Sequence, residues 1–561
     1  MSTRNIHCWE KSYPAGLQWD LPIEPISLPT MLARAVERHA DRPAIEYRDH
    51  LIGYAALGRA VDGFAAALMR AGIGPGVGLA LYLPNSPYHP VGFFGGAKAG
   101  ARLAHLSPLD AERELVHKLE DSGARILFTT NLAPLLPMAL RLLEAGRIDL
   151  LIVGEDEAWG EGATVPLEIP EQPGVIPYRA FTANAPPPAT WPEPSADDIA
   201  LLQYTSGTTG MPKGAMLTHG NLTAAVQIYN AWFEAQERSA GPGEQSRVIC
   251  VLPLFHIYAL TVVLLRQLDQ GGLILLRPRF DVETVLRDIE IKRATIFPGV
   301  PTMWIALANH PGIEQRDLSS LVYCSSGGAP LPVEVATRFA RQAGLSLGGG
   351  WGMTETSSPG TALPKASPAK PGTIGLPLPR ITLDIVSLSD PSQVLPIGET
   401  GELRVKGPNV TRGYWRQPEA TAASFTDGGL LTGDIGYMDE DGYIFIVDRK
   451  KDMIISGGFN VYPQMIEQAI YEHPHVDEVL VVGIPDEYRG EAAKAFIKLR
   501  TGAPDLTIED LRIFLADKLG RHELPTALEI RPALPRTAVG KLSKKELRDE
   551  ERARRNEGRV R

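Results

Sequence analysis

Between residue 28 and about residue 194 the chain switches repeatedly between two hydrophobic periods, and this restricts the fold more than any other feature. Residues 30–38 and 54–69 place apolar side chains at the three-to-four spacing of an amphipathic helix. Thr30 is available to cap the first, and the Gly72-Ile73-Gly74-Pro75-Gly76 turn ends the second. Short apolar runs at 78–83, 126–129 and 150–153 read as buried strands. Helices alternating with such strands predict an α/β fold, a largely parallel sheet wrapped by helices. The glycines between 72 and 78 fit no register of the G-x-G-x-x-G dinucleotide pattern, so they read as a turn. Later, 221–233 reads as a helix, and so does the stretch from Val333 to Ala343, with Pro332 at its start and Gly344 ending it. Proline clusters at 186–188 and 192–194 predict an extended connector.

A chain of 561 residues can hold more than one domain. Its 44% apolar and 22% charged residues are the proportions of a soluble globular protein. A net charge of −10 and a pI near 5.7 lack the basic footprint of a nucleic-acid binder, so any anionic substrate must be met by local cations. Three cysteines, Cys8, Cys250 and Cys324, are too few and too scattered for a disulfide framework or a zinc site and fit a reducing cytoplasm. The first twenty residues show no apolar signal core, and runs such as 262–265 are broken too soon to span a membrane.

The densest chemistry is Tyr204-Thr205-Ser206-Gly207-Thr208-Thr209-Gly210-Met211-Pro212-Lys213-Gly214, set between apolar runs 199–203 and 215–217. Backbone N–H groups at Gly207 and Gly210, beside the hydroxyls of Thr205, Ser206, Thr208 and Thr209, make a concave nest for a polyphosphate, and Lys213 adds a compact charge. Pro212 and Gly214 stand where a Walker A loop needs Gly and Ser or Thr, so this is a different phosphate loop, between two strands rather than ahead of a helix. Residues 250–256 read as an apolar strand ending in His256, for which a structural role is the ordinary one. Apolar stretches 260–265 and 297–304 suit an aliphatic pocket or plain core, and core is the commoner use. Gly344-Leu345-Ser346-Leu347-Gly348 fits the G-x-S-x-G of a hydrolase with Ser346 as nucleophile, but that elbow needs strand, turn, helix, and here a helix precedes.

Taken whole, the 204–214 string resembles the AMP-binding signature of the adenylate-forming superfamily, which includes acyl-CoA synthetases, peptide-synthetase adenylation domains and luciferases. Three later strings are similar to its other signatures. One is Gly350-Trp351-Gly352-Met353-Thr354-Glu355, with Trp where Tyr is usual. Another is Thr432-Gly433-Asp434 followed by Asp448-Arg449-Lys450-Lys451-Asp452, preceded by Asp427-Gly428-Gly429 where Asp-Gly-Trp is common. The last is Pro535-Arg536-Thr537-Ala538-Val539-Gly540-Lys541. The resemblance spans about 28–547 and is closest to bacterial fatty-acyl-CoA synthetases.

The resemblance implies a large N-terminal AMP-binding domain of wrapped sheets, residues 1–450, and a small mobile α+β C-terminal lid, 451–561, hinged near Lys451. It implies ATP, Mg2+, coenzyme A and a carboxylic acid as ligands. Lys541 from the lid is the implied catalytic residue, together with Lys213 and with His256, which would hold or gate the acid. Thr205, Ser206, Gly207, Thr208, Thr209, Gly210, Gly327, Gly328, Ala329, Trp351, Gly352, Thr354, Asp434 and Arg449 are expected around the nucleotide. In that arrangement Trp351 stacks on adenine, and Asp434, on a tight turn, accepts the ribose hydroxyls. Glu355 is the implied magnesium ligand. Gly457 and Gly458 either bare the backbone to a thin pantetheine arm or form a plain hairpin turn. Phe255-His256-Ile257-Tyr258 stands where amino-acid-activating relatives have Phe-Asp-x-Ser, which disfavours an α-amino acid. The expected acid is a medium- to long-chain fatty acid. The alternative, a dicarboxylic acid such as pimelate, would want a cation deep in the pocket, with Arg266 and Arg380 among the candidates. Monomer or homodimer is left open by the sequence, as is a peripheral contact with the inner face of the membrane.

Overall fold

The structure is a computed structural model and describes every residue except 1–6, 163, 184, 206–210, 237–243, 329–332, 366–369, 458, 487, 537–541 and 560–561. The alternating stretch builds a seven-stranded sheet in the order Val175–Pro177, Leu150–Gly154, Ile126–Thr130, Gly78–Leu81, Arg102–His105, Ile199–Thr205, Lys213–Thr218. Neighbours run parallel except the last pair, which is antiparallel. The inner strands are apolar on both faces, as a sheet covered on both sides requires.

A second sheet is parallel from Pro43–Tyr47 through Leu273–Leu276, Arg247–Cys250, Ile296–Gly299 and Tyr323–Ser326 to Leu347–Trp351. It continues through Thr361–Ala362 and Thr373–Pro377 into an antiparallel set made of Ile444–Arg449, Gly429–Met438, Gly401–Lys406 and Thr382–Val386. One helix, His219–Glu234, is buried nearly all round and packs against Leu28–His39 and strand Lys213–Thr218. The Thr218 hydroxyl caps it, accepting from Asn221 N–H at 3.0 Å. One continuous apolar core, with Trp232, Trp304, Phe93 and Phe297 at full burial, joins the two sheets.

The last part of the chain forms a separate small sheet of Phe459–Val461, Ile454–Ser456, Gly490–Leu499 and Val476–Asp486, with Ala527–Ile530 added in parallel to Gly490–Leu499. It has its own core of Ile466, Val481, Ala495, Ile497 and Leu511. The fold is therefore α/β, with a large N-terminal domain and a smaller C-terminal one. Among the described residues no helix is long and apolar enough to cross a membrane.

Several local expectations need correction. The first helix runs Leu28–His39, and its cap is Ser27, whose hydroxyl accepts from Thr30 N–H at 3.3 Å. The strand ahead of His256 ends at Cys250, and the turn that follows carries Pro253, which lacks the N–H a ladder needs. Residues Ala259–Leu265, within the stretch expected as pocket or core, form a wholly buried π-helical turn, a form that recurs at functional sites. Asp434 lies inside strand Gly429–Met438 rather than on a tight turn; Gly433 beside it, at φ +75°, supplies the local kink. Gly457, at φ +60°, sits at the turn between the paired strands Ile454–Ser456 and Phe459–Val461. Ser346 is exposed between helix Val333–Ala343 and strand Leu347–Trp351, the reverse of the hydrolase order.

Candidate active site

In parallel α/β sheets, ligands collect at the carboxyl ends of the strands, where the connecting loops can reach them without a side-chain layer in the way. Three strands of the second sheet deliver expected residues at those ends. Arg247–Cys250 leads to His256, Tyr323–Ser326 to Gly327 and Gly328, and Leu347–Trp351 to Gly352, Thr354 and Glu355. Gly352 tolerates no other residue, because a Cβ there would fall 1.5 Å from the carbonyl oxygen of Ser358. The phosphate loop leaves the first sheet at Thr205 and returns at Lys213. The two sheets are tied beside it by Gln203, whose amide donates to the carbonyl of Phe255 at 2.8 Å.

A stretch that sequence reasoning missed joins the loop to Glu355. Trp415 N–H donates to Gly214 O at 2.8 Å and Met216 N–H to Gly413 O at 2.9 Å, which lays residues 413–415 along the returning strand. Thr411 N–H then donates to the carbonyl of Glu355 at 2.7 Å. Between these ties Tyr414 points its hydroxyl at Glu355 Oε1, 2.9 Å away, with its ring 5.3 Å from Lys213 Nζ. One aromatic side chain thus holds the expected cation and the expected carboxylate on either side of itself. The only sequence signal was an aromatic residue in a Gly-Tyr-Trp turn, which by itself indicates nothing.

Glu355 is 6% exposed, and burial pushes its carboxyl above the usual range while the Tyr414 hydroxyl and the charge of Arg449 oppose that. A buried carboxylate so placed is stabilised by a divalent cation. Among the described residues no cluster of three or more His, Cys, Asp or Glu could cage a metal. A cation held by Glu355 would complete its shell from phosphate and water, which is how magnesium is usually bound. The residues therefore fit Mg2+ carried with a nucleotide.

Asp434 gathers two more expected residues. Its Oδ2 accepts from the Trp351 indole N–H at 2.7 Å, and its Oδ1 accepts from Arg449 Nε at 3.0 Å. The Asp434 carboxylate raises the Arg449 guanidinium further above its ordinary range. Trp351 is thus a partner of Asp434 as well as an aromatic face, a role that a tyrosine could fill only from a different geometry. His256 Nδ1 accepts from Tyr258 N–H at 3.2 Å, which places the hydrogen of the neutral ring on Nε2. Tyr258 in turn meets Ser325 at 3.1 Å, next to Gly327.

Past Arg449, beside the expected division at Lys451, one hydrogen bond spans that point and two ion pairs hold the chain that follows it. Asp448 accepts from Gln464 N–H at 2.9 Å, Lys544 pairs with Glu467 at 2.9 Å, and Arg548 pairs with Asp452. Lys451 is here, its ammonium lowered by burial and by Arg449. Ser206, Gly207, Thr208, Thr209, Gly210, Ala329, Gly458 and Lys541 lie outside the described residues.

Residues 32–415 match the AMP-binding enzyme family, and residues 465–541 match the AMP-binding enzyme C-terminal domain. The chain is 37% identical to a long-chain-fatty-acid–CoA ligase of Bacillus subtilis, over 97% of this chain and 98% of that one. It is 38% identical to a feruloyl-CoA synthase of an Amycolatopsis species, over 90% and 95%. In three dimensions it resembles ATP-bound MatB from Rhodopseudomonas palustris with a TM-score of 0.82 at 29% identity, covering 93% of this chain and 98% of that chain. Phosphate hairpin, buried carboxylates and full-length likeness agree, and the chain belongs to the AMP-binding enzyme family, among its adenylate-forming acyl-CoA ligases.

Proposed function

We propose that the protein joins a medium- to long-chain carboxylic acid to coenzyme A in two steps at the site around Glu355 and Asp434. In the first, a carboxylate oxygen of the acid attacks the α-phosphorus of ATP and pyrophosphate leaves, giving an acyl-adenylate. In the second, the CoA sulfur attacks the acyl carbon and AMP leaves. The observation that carries this reading is the pairing of Lys213 and Glu355 across Tyr414, next to the Asp434, Trp351 and Arg449 cluster.

The first step brings two anions together, so fixed positive groups must offset their repulsion and hold them in line. Lys213 and the loop at 205–210 would meet the phosphates, and Asp434 the ribose. His256, with its proton on Nε2, would face the acid. Magnesium on Glu355 would neutralise phosphate charge. Lys541 would enter from the C-terminal domain, with the division between domains at Lys451. The acyl chain would run along Tyr258, Tyr229 and Phe233.

The reading is tested by supplying ATP, CoA and single acids and assaying thioester and AMP. Medium- to long-chain acids should yield both in equal amounts, whereas free amino acids should yield neither. Release of ADP instead of AMP would contradict it.

A further inference from the structure

Arg266 follows directly on the buried turn Ala259–Leu265. It is 5% exposed, its guanidinium carbon stands 4.2 Å from the centre of the Phe233 ring, and its Nε has no hydrogen-bond partner. Glu234 and Asp269 act on it through space, but no carboxylate among the described residues forms an ion pair with it. Asp269 is engaged elsewhere, accepting from Asn230 at 2.8 Å and facing Arg38 at 3.7 Å.

The other two buried arginines among the described residues are treated differently. Arg277 is held by Asp288 at 2.7 Å and Glu46 at 2.6 Å, and Arg404 by Asp384 at 2.8 Å and Asp427 at 3.0 Å. Arginine does not shed its charge, and a buried charge without a counterion is costly; the face of Phe233 offsets only part of that.

The position of Arg266 suggests what would complete it. Phe233 meets Tyr323 at 4.9 Å and Tyr229 at 5.9 Å between ring centres, and Tyr258 reaches Ser325 beside Gly327. Tyr229 and Tyr323 act through space on both Tyr258 and Arg266, so the same rings stand near both. The run from Ile257 to Arg266, mostly π-helical, covers at most roughly 13 Å, the length it would have at the α-helical rise of about 1.5 Å per residue. A short acid activated near His256 could not reach the far end.

We propose that Arg266 ends the acyl site and binds a second carboxylate at the distal end of the substrate, so that the preferred acid is a dicarboxylic acid of medium or longer chain. The planar fork of a guanidinium meets a carboxylate through two parallel N–H bonds, which no methyl terminus can supply. The proposal rests on the ligase reading above and narrows it.

The test compares kcat/KM for thioester formation with succinate, pimelate, sebacate, octanoate and palmitate in the wild type, Arg266→Leu and Arg266→Lys. The wild type should prefer pimelate or sebacate to octanoate and reject succinate. Arg266→Leu should lower kcat/KM for the preferred diacid by about 10- to 100-fold and raise it for octanoate, while Arg266→Lys keeps part of the diacid preference. A wild type that uses octanoate and palmitate but neither longer diacid overturns the proposal and leaves the ligase reading standing. So does an Arg266→Leu enzyme impaired equally on both classes. Absence of thioester with every acid overturns the ligase reading itself. Should the variants not fold, thermal unfolding of the wild type decides: sebacate with ATP should raise the midpoint more than octanoate with ATP, and equal shifts overturn the assignment.

Discussion

Tyr414 and Trp351 show how single side chains tune the charged groups of this site. Replacing Tyr414 by Phe keeps the ring beside Lys213 and removes the hydrogen bond to Glu355. That bond lowers a carboxyl that burial raises, so its loss raises the Glu355 pKa further. Glu355 is then protonated at a higher pH, and the acid limb of the pH profile of kcat/KM should move up; an unmoved limb would show that Glu355 does not act as its ionised form. Trp351→Phe keeps an aromatic face but frees Asp434 Oδ2. The KM for ATP should rise about tenfold, the scale of one hydrogen bond to a charged group, with less effect on kcat. An unchanged KM would separate Asp434 from nucleotide binding. Glu355, Asp434 and Trp351 could be singled out as candidates because each sits in a dense local string. Tyr414 was not, since its value comes from lying along strand Lys213–Thr218, a pairing across some two hundred residues that no local pattern encodes.

At the scale of elements, the sequence was most informative where one period filled a whole element. The buried strands of the first sheet and the antiparallel pair around the phosphate loop follow from apolar runs bounded by glycine and proline. It was least informative where tertiary packing overrode the local pattern. The Ala259–Leu265 turn is as apolar as a strand, but it is helical and packs against helix His219–Glu234. Helix pairing in the C-terminal domain gives a further expectation. Glu467, on Pro463–Tyr471, pairs with Lys544, the first residue of Lys544–Arg559. Burial pushes the Glu467 carboxyl from an ordinary 4.5 up to about 7, against the pull of Lys544. The folded state then holds a proton that the unfolded state has released, so this group's contribution to stability falls as pH rises from about 4.5 through about 7. Glu467→Gln should flatten unfolding free energy across that window, and an unaltered slope in denaturant titrations would contradict the shift.

For the whole molecule, the proposed reading divides the chemistry between a large domain that would hold the nucleotide and a small one that would supply Lys541. Beside the proposed division at Lys451, Asp448 accepts from Gln464 N–H across it, and the pairs Lys544–Glu467 and Arg548–Asp452 hold the last helix to the smaller part. If the small domain closes for the first step and turns away for the second, as lids that complete a site do, the two half-reactions should come apart under mutation. Lys541→Ala should suppress pyrophosphate release from ATP and acid by at least about 100-fold while sparing conversion of supplied acyl-adenylate to thioester. Equal loss of both steps would argue against the division. The two-domain plan was legible because signature strings occur at both ends of the chain. The ion pairs that hold the last helix within the C-terminal part were not, because they join residues up to about a hundred positions apart.

The most direct test is a single-turnover experiment in two stages. Enzyme in excess over ATP is mixed with magnesium and a substrate acid without CoA, and CoA is added afterwards. The account predicts one pyrophosphate per ATP and an enzyme-bound acyl-adenylate in the first stage, then stoichiometric acyl-CoA and AMP on adding CoA. Pyrophosphate release that waits for CoA, or a bound acyl group that CoA cannot take up, would contradict it.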